Sequence, residues 1–127
     1  YNIQIEDNIE LMDIDFIEPL DLSTIFGNLL DNAIEACRFI EKPEKRCIRI
    51  SVKKEKNLLV MRIKNNKQNG NVVRDSKKAM HGYGLPNVRN AIHKYGGEID
   101  INETKYEFDI NIIIPLNNKE GDHIKTL

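Results

Sequence analysis

Polar and apolar residues alternate along several short stretches of this chain, which is the pattern of strands with one buried face. The same alternation at Met12, Ile14 and Phe16 is typical of a further strand, which Pro19 would end. Short polar segments separate the later stretches in pairs and predict two hairpins. The remaining predicted strands cover residues 2–6, 46–54, 57–65, 98–103 and 106–115.

Two other stretches place apolar residues at the 3.6-residue spacing of an amphipathic helix. The first is predicted over residues 22–40, with Asp21 or Ser23 as its N-cap. The second is predicted over residues 85–95 and ends at a Gly-Gly pair. Residues 65–84 between them have no sustained period, and a loop of this length is commonly a functional lid.

These elements predict a two-layer α/β sandwich. Strands joined by short turns favour a mixed, mostly antiparallel sheet, and two helices are enough to cover one of its faces. The chain of 127 residues is long enough to bury a core as one domain. We expect that domain to span residues 1–116 and a polar tail to follow at 117–127.

Composition narrows the class of protein. The apolar fraction of 40% and the charged fraction of 31% are those of a soluble globular domain, and no apolar run approaches the ~20 residues of a membrane span. Cys37 and Cys47 lack the spacing of a metal site, which favours buried free thiols in a reducing compartment. Residues 38–95 hold sixteen Lys and Arg against four Asp and Glu. This basic middle fits an anionic ligand or partner, or else lysines on solvated strand faces.

Asn28 and Asn32 stand one helical turn apart in the first predicted helix. Four helical steps leave them within about 40° of each other, so that their amides point the same way. Two amide oxygens side by side suit Mg²⁺, which shares such ligands with phosphates and water. The alternative is that both amides bond backbone groups near the helix start or lie in solvent.

Two further motifs can be interpreted either as parts of a binding site or as ordinary turns. Gly82 and Gly84 lead into the second helix, whose free N–H groups and positive dipole would attract phosphate. An ordinary glycine turn explains them equally well. Asn65 follows an apolar strand and could read a base edge through its amide, or could belong to a turn-forming cluster of asparagines.

In combination, these motifs resemble those of the GHKL, or Bergerat-fold, ATP-binding superfamily. The stretch "NLLDNAIEA" at 28–36 resembles its N box, and "GYGLPNVRNAIHKYGGEIDI" at 82–101 resembles its second glycine box. This form of the second box is typical of the catalytic domains of sensor histidine kinases of the AgrC-like, peptide-sensing type. The resemblance spans about residues 20–115.

The resemblance implies that ATP and Mg²⁺ bind between the N-box helix and a mobile lid. Asn32 would be the main Mg²⁺ ligand with Asn28 assisting, and Asn65 would accept a hydrogen bond from the adenine amino group. Backbone N–H groups at Gly84 and Leu85 would face the phosphates. The nucleotide-binding candidates are Asn28, Asn32, Asn65, Gly82, Tyr83, Gly84 and Leu85, together with Lys78 and His81, which like Arg74 and Lys77 are candidate phosphate contacts on charge alone.

Two departures from the family pattern carry information. The first glycine box, usually DxGxG, reads "NNKQN" at 65–69, and its uncharged Asn65 implies weaker nucleotide binding. The branch of the family that hydrolyses ATP has a water-activating glutamate at position 28, and Asn28 cannot act as a general base. The resemblance therefore implies phosphoryl transfer to a protein side chain.

None of His81, His93 and His123 has the context of a phosphoacceptor. The expected function is the catalytic domain of a two-component histidine kinase, which phosphorylates a histidine on an upstream dimerisation helix outside this chain. Expected partners are ATP, those helices and a response regulator, but no nucleic acid. The full-length protein is expected to be a homodimeric, membrane-anchored receptor with this domain in the cytoplasm. The alternatives are a nucleotide-independent regulatory module and an anti-sigma-factor-type serine kinase.

Overall fold

A computed structural model of the chain describes residues 2–10, 12–68 and 84–116. Within them, two helices pack against a five-stranded sheet. The strands are β1 (Gln4–Ile9), β2 (Cys47–Glu55), β3 (Leu58–Asn66), β4 (Glu98–Glu103) and β5 (Glu107–Pro115), and the helices are α1 (Pro19–Arg38) and α2 (Leu85–Lys94), with one 3₁₀ turn at Pro43–Lys45. Neither helix is long and apolar enough to span a bilayer.

The strands lie in the order β1-β2-β3-β5-β4, with β1 parallel to β2 and the other pairs antiparallel. The two predicted hairpins are β2-β3 and β4-β5. The first turns at Lys56, whose φ of 55° is left-handed. This is the predicted two-layer α/β sandwich with a mixed, mostly antiparallel sheet.

Alternation along the strands separates a covered face of the sheet from an open one. In β3, Leu59, Met61 and Ile63 are buried under the helices, whereas Arg62 between them is exposed on the other face. Each such aliphatic side chain contributes about 1.5–3 kcal/mol through burial. The helices complete this core with Ile25, Leu29, Ala33, Val88 and Ile92.

The predicted start and cap of α1 are wrong. The helix begins at Pro19 with Glu18 as N-cap, and neither Asp21 nor Ser23 caps it. Proline is favoured in the first helical turn because its fixed φ suits the helix and its missing N–H is not needed there. Asp21 instead lies inside the first turn, where its carboxylate accepts a hydrogen bond from the Tyr95 hydroxyl.

The alternation at Met12, Ile14 and Phe16 does not form a strand. The Asp15 N–H donates to Asp13 Oδ1 at 2.9 Å, and such local side-chain bonds compete with a strand ladder. The apolar side chains pack against the core, and Phe16 meets the Tyr95 ring edge to face with centroids 6.1 Å apart. The interior of the predicted lid and the tail at 117–127 lie outside the described residues.

Candidate functional site

The two helices bring the asparagine pair and the glycine motif together. A Cβ atom on Gly84 would lie only 2.6 Å from Asn28 Oδ1, so these two residues are in direct contact. Gly84 also has a φ of 89°, a backbone conformation that glycine adopts without steric cost. Both the close approach and the left-handed turn therefore require glycine at this position.

The amide of Asn28 takes part in a backbone hydrogen bond. Its Nδ2 donates to the carbonyl oxygen of Thr24 at 2.7 Å, one turn earlier in α1. For Asn28, the alternative that its amide bonds a backbone group near the helix start is therefore confirmed in part. The bond fixes the orientation of the amide and directs Oδ1 towards Gly84.

Asn32 has no such partner. Its side chain is buried, with 7% of the residue exposed, and neither Oδ1 nor Nδ2 forms a hydrogen bond with any described residue. Leaving a buried amide unpaired costs about 1–3 kcal/mol, which a ligand at this position would recover. An amide oxygen is a suitable ligand for Mg²⁺ when phosphates and water supply the others. The arrangement therefore fits the magnesium role assigned by resemblance.

The start of α2 presents free backbone donors beside Asn28. Gly84 caps the helix without a side-chain hydrogen bond, and no acidic residue lies in the first turn. The Leu85 side chain is buried in the core, which anchors the first turn of the helix next to the contact of Gly84 with Asn28. Free N–H groups at the positive end of a helix dipole attract phosphate.

The end of β3 forms the other part of the site. Asn65 is buried at 5% exposure on the covered face, where it lies opposite Ile48 and Phe108 in the neighbouring strands. Its Nδ2 donates to the carbonyl oxygen of Asn66 at 2.9 Å. Its Oδ1 accepts no hydrogen bond within the described part of the chain, so it can accept one from a ligand.

Helix α1 connects these two parts. Asn28 meets the start of α2, and Cys37 lies near the end of β3, with its Sγ 3.7 Å from the carbonyl oxygen of Asn66. Nine residues of helix separate them, a rise of about 13.5 Å, with Asn32 in between. Cys37 and Cys47 are free thiols as predicted, but only Cys37 is buried, and Cys47 is half-buried. Burial raises the pKa of Cys37 to about 11.

One feature at the end of β3 is not predicted by the sequence. The side chain of Lys67 has 0% exposure, and its Nζ lies 3.3 Å from Oε2 of Glu103 at the end of β4. Lys67 also lines a cavity of about 720 Å³. The sequence does show that position 67, where the family's first glycine box has glycine, holds a long charged residue in this chain. The described lining of the cavity comprises Ile40, Glu41, Lys42, Lys45, Asn66, Lys67, Gln68, Thr104, Tyr106 and Glu107.

The cavity therefore adjoins the Asn65 end of the site, and its described lining includes neither Asn32 nor Gly84. Within the described ranges, no three His, Cys, Asp or Glu side chains converge as they would around a metal. A metal held here would depend on amide oxygens and on its ligand's phosphates. The remaining candidates, Lys78, His81, Gly82, Tyr83, Arg74 and Lys77, lie outside the described residues.

The sequence matches the GHKL domain family over residues 17–115, and the chain belongs to that family. No curated protein sequence matches it. Solved structures share its fold, among them the histidine kinase domain of the blue-light activated kinase EL346 from Erythrobacter litoralis. That domain has a TM-score of 0.68 at 13% identity, over 94% of this chain and 54% of its own.

Two other histidine kinases are similar in fold. AdeS from Acinetobacter baumannii has a TM-score of 0.61 at 20% identity, over 91% of this chain and 56% of its own. The nucleotide-free catalytic domain of ThkA has a TM-score of 0.66 at 20% identity, over 90% of this chain and 80% of its own. The chain thus spans about half the length of the EL346 domain and of AdeS. These likenesses establish the fold of a histidine kinase catalytic domain.

Proposed function

We propose that this chain is the ATP-binding catalytic domain of a sensor histidine kinase of the AgrC-like, peptide-sensing type. It binds Mg-ATP and delivers the γ-phosphate to a histidine on a dimerisation helix elsewhere in the full-length protein. That protein is a homodimeric, membrane-anchored receptor, works with a response regulator and keeps this domain in the cytoplasm. The observation that carries the proposal is the buried, unpaired amide of Asn32 between the contact of Asn28 with Gly84 and the end of β3.

Each part of the site has a role in this proposal. Asn32 Oδ1 is the main magnesium ligand with Asn28 Oδ1 assisting, and the bound ion would neutralise charge on the phosphate oxygens. The N–H groups at the start of α2 bind the triphosphate, and Asn65 Oδ1 accepts a hydrogen bond from the base. Catalysis then rests on positioning and charge neutralisation, which suit phosphoryl transfer. Lys78, His81, Gly82 and Tyr83 are proposed to contact the phosphates from the lid.

Transfer to a protein is favoured over hydrolysis by the chemistry of Asn28. An amide cannot take a proton from water, and its Nδ2 already donates to Thr24. No described side chain beside Gly84 replaces the glutamate of the hydrolysing branch. A γ-phosphate held here would therefore meet no group at position 28 that could activate water.

Titration with a fluorescent ATP analogue, with and without Mg²⁺, tests nucleotide binding. We expect Mg²⁺ to strengthen binding, and Asn32→Ala to weaken it about tenfold or more and to remove the Mg²⁺ dependence. Asn90→Ala is the matched control, because Asn90 is an exposed asparagine on α2. If a folded wild-type sample binds no nucleotide at millimolar concentration, the proposal is wrong.

Phosphotransfer is tested with the full-length protein and γ-labelled ATP. We expect an acid-labile phosphohistidine, lost in Asn32→Ala and retained in His93→Gln, because His93 is an exposed residue on α2. An acid-stable phosphoserine on a separate protein would instead identify the anti-sigma-factor type of kinase. Label that disappears in His93→Gln would contradict an acceptor outside this chain.

A nucleotide-independent regulatory module is the second candidate. It is favoured by Lys67, whose buried side chain stands where the family's first glycine box has glycine. Such a module would keep the fold for contacts with dimerisation helices or a response regulator. It is distinguished by the same titration, in which it would bind neither the analogue nor Mg-ATP while remaining folded.

A further inference from the structure

We infer that Lys67 is a base-contacting, specificity-determining residue of the site, and that its ammonium donates a hydrogen bond to a ring nitrogen of a purine. This inference rests on the proposed nucleotide binding. It concerns the position at which the chain departs furthest from the family's first glycine box.

Lys67 is placed on the covered face beside Asn65. Its backbone N–H donates to the carbonyl oxygen of Tyr106 at 2.9 Å, which continues the pairing of β3 with β5 one residue further. Side chains two residues apart along a strand share a face, about 7 Å apart. Lys67 then pairs with Glu103, which is opposite Phe108 in the β4-β5 ladder and so faces the same way.

The ammonium of Lys67 is buried with donors to spare. It has three N–H donors, and in the described structure only Glu103 Oε2 pairs with it. That contact is an ion pair without hydrogen-bond geometry, and both atoms are left without a hydrogen-bond partner. A buried ammonium in this condition is costly. An acceptor from a ligand would remove part of that cost.

The cavity of about 720 Å³ supplies the space for such an acceptor. Lys67 is among its lining residues, which include the neutral Gln68 and Thr104 as well as charged side chains, and its volume is within the usual range for small-molecule sites. Asn65 and Lys67 share one face of the sheet beside this cavity, but Asn65 is not part of the described lining and the Lys67 side chain has 0% exposure. A purine therefore meets the acceptor Asn65 Oδ1 and the donor Lys67 Nζ when the Lys67–Glu103 pair opens towards the cavity. Adenine offers the complement, an amino donor next to the ring acceptor N1.

The test compares three probes by calorimetric titration in the presence of Mg²⁺: ATP, 1-deaza-ATP, which lacks the N1 acceptor, and inorganic tripolyphosphate. We expect the wild-type chain to prefer ATP to 1-deaza-ATP about tenfold or more, because a site built to hydrogen-bond a group rejects the analogue that lacks it. Equal affinity of the wild-type chain for both nucleotides overturns the inference, whether or not any variant folds.

Lys67→Met tests the residue itself. We expect it to weaken ATP binding about tenfold, to abolish the preference over 1-deaza-ATP, and to change tripolyphosphate binding less than twofold. Lys54→Met is the control, since Lys54 is an exposed lysine of β2 that does not line the cavity. Equal losses for all three probes would show a merely structural role and contradict the inference. A wild-type chain that binds none of them refutes the proposed function itself, and the inference with it.

Discussion

The two ends of the candidate site differ in how closely they follow the family pattern. At the start of α2, Gly84 contacts Asn28, which lies 56 positions earlier in the chain, and both residues match the family's motifs. At the end of β3, Lys67 replaces a glycine and forms a buried ion pair with Glu103. We call the first the phosphate end and the second the base end, after the roles proposed for them. The phosphate end follows the family's motif, whereas the base end carries a charged side chain where that motif has glycine.

This difference indicates which of the protein's contacts with a ligand can be changed by substitution and which cannot. In the proposed function, phosphates bind through backbone N–H groups and amide oxygens, and this arrangement depends on a backbone path that leaves no room for a Cβ at Gly84. A base is recognised by side chains, which can be replaced one at a time. Substitutions at the two ends should therefore differ in their effects on stability and on nucleotide binding.

The largest effect on stability is expected at the base end. Glu103→Gln should lower the free energy of unfolding by about 3 kcal/mol, because it leaves the fully buried Lys67 ammonium without a counter-charge. Urea unfolding at neutral pH measures it. Lys67→Met should cost less, since the Glu103 side chain it leaves is 17% exposed and can be hydrated. Wild-type stability in Glu103→Gln would show that the ammonium does not depend on this partner.

The next effect is expected at the phosphate end. Gly84→Ala should lower the free energy of unfolding by about 2 kcal/mol, because a φ of 89° is strained for alanine and its Cβ meets Asn28 Oδ1. Nucleotide binding should fall about tenfold or more as the turn or Asn28 moves. Urea unfolding and analogue titration measure the two effects.

Gly27→Ala is the matched control for this substitution. Gly27 is exposed inside α1, and a Cβ there has nothing within 4 Å. Alanine should therefore raise the free energy of unfolding by about 0.5–1 kcal/mol and leave nucleotide binding unchanged. Similar losses at both glycines would mean that Gly84 has no special role in the site.

Much of the fold was predictable from the sequence because most of its elements have a regular period. Both hairpins and both helices follow from spacing alone, and their ends are displaced by at most a few residues. The segment at Met12, Ile14 and Phe16 was not predictable, since a loop that packs three apolar side chains onto a core has the same pattern as a strand. The predicted start of α1 was also wrong. Tyr95, which is distant in the sequence, forms hydrogen bonds with Asp21 and with the backbone of Glu18, and local spacing does not reveal such contacts.

For the site, the sequence grouped Asn28 and Gly84 only by resemblance, and the structure places these two residues in contact. Their roles towards a nucleotide stay predictions. Spacing could not distinguish the two asparagines, although one amide bonds to backbone and the other has no partner. The pairing of Lys67 with Glu103 was beyond prediction. It depends on β5 lying between β3 and β4, and this strand order cannot be read from local periodicity.

A smaller effect is expected where the far ends of the helices meet. The Tyr95 hydroxyl accepts from the Glu18 N–H at 3.0 Å and donates to the Asp21 carboxylate. Tyr95→Phe should lower the free energy of unfolding by about 1 kcal/mol. It should change the affinity for ATP and tripolyphosphate equally, because it loosens α1 without touching the base end. A selective change for one probe would contradict this separation.

The same contact should make stability depend on pH. The hydrogen bond from Tyr95, followed by that from Lys94, holds the pKa of Asp21 below its usual 3.8. The stabilisation is therefore present above the unfolded pKa and is lost as pH falls through the lower folded value. Urea unfolding at pH 7 and pH 3 should show a smaller difference for Tyr95→Phe than for the wild-type chain. An unchanged difference would show that Asp21 does not depend on the hydroxyl.

The smallest effect is expected on the open face of the sheet, which provides a reference for both ends. Arg62 and Asp109 form a two-point ion pair there, with Nε to Oδ1 at 2.9 Å, and the guanidinium lowers the pKa of Asp109. Asp109→Asn should cost only about 0.5 kcal/mol, because the Arg62 side chain is 49% exposed and the pair is screened by solvent. The carboxylate's contribution is present above the unfolded pKa of about 3.8 and is lost as pH falls through the lower folded value, and it should also shrink in 1 M salt.

Nucleotide binding should not change in Asp109→Asn, since the pair lies on the face away from Asn65 and Asn32. If Asp109→Asn alters the preference for ATP over 1-deaza-ATP, the base end is coupled through β5 to the opposite face, and the division of the site into two independent ends does not hold.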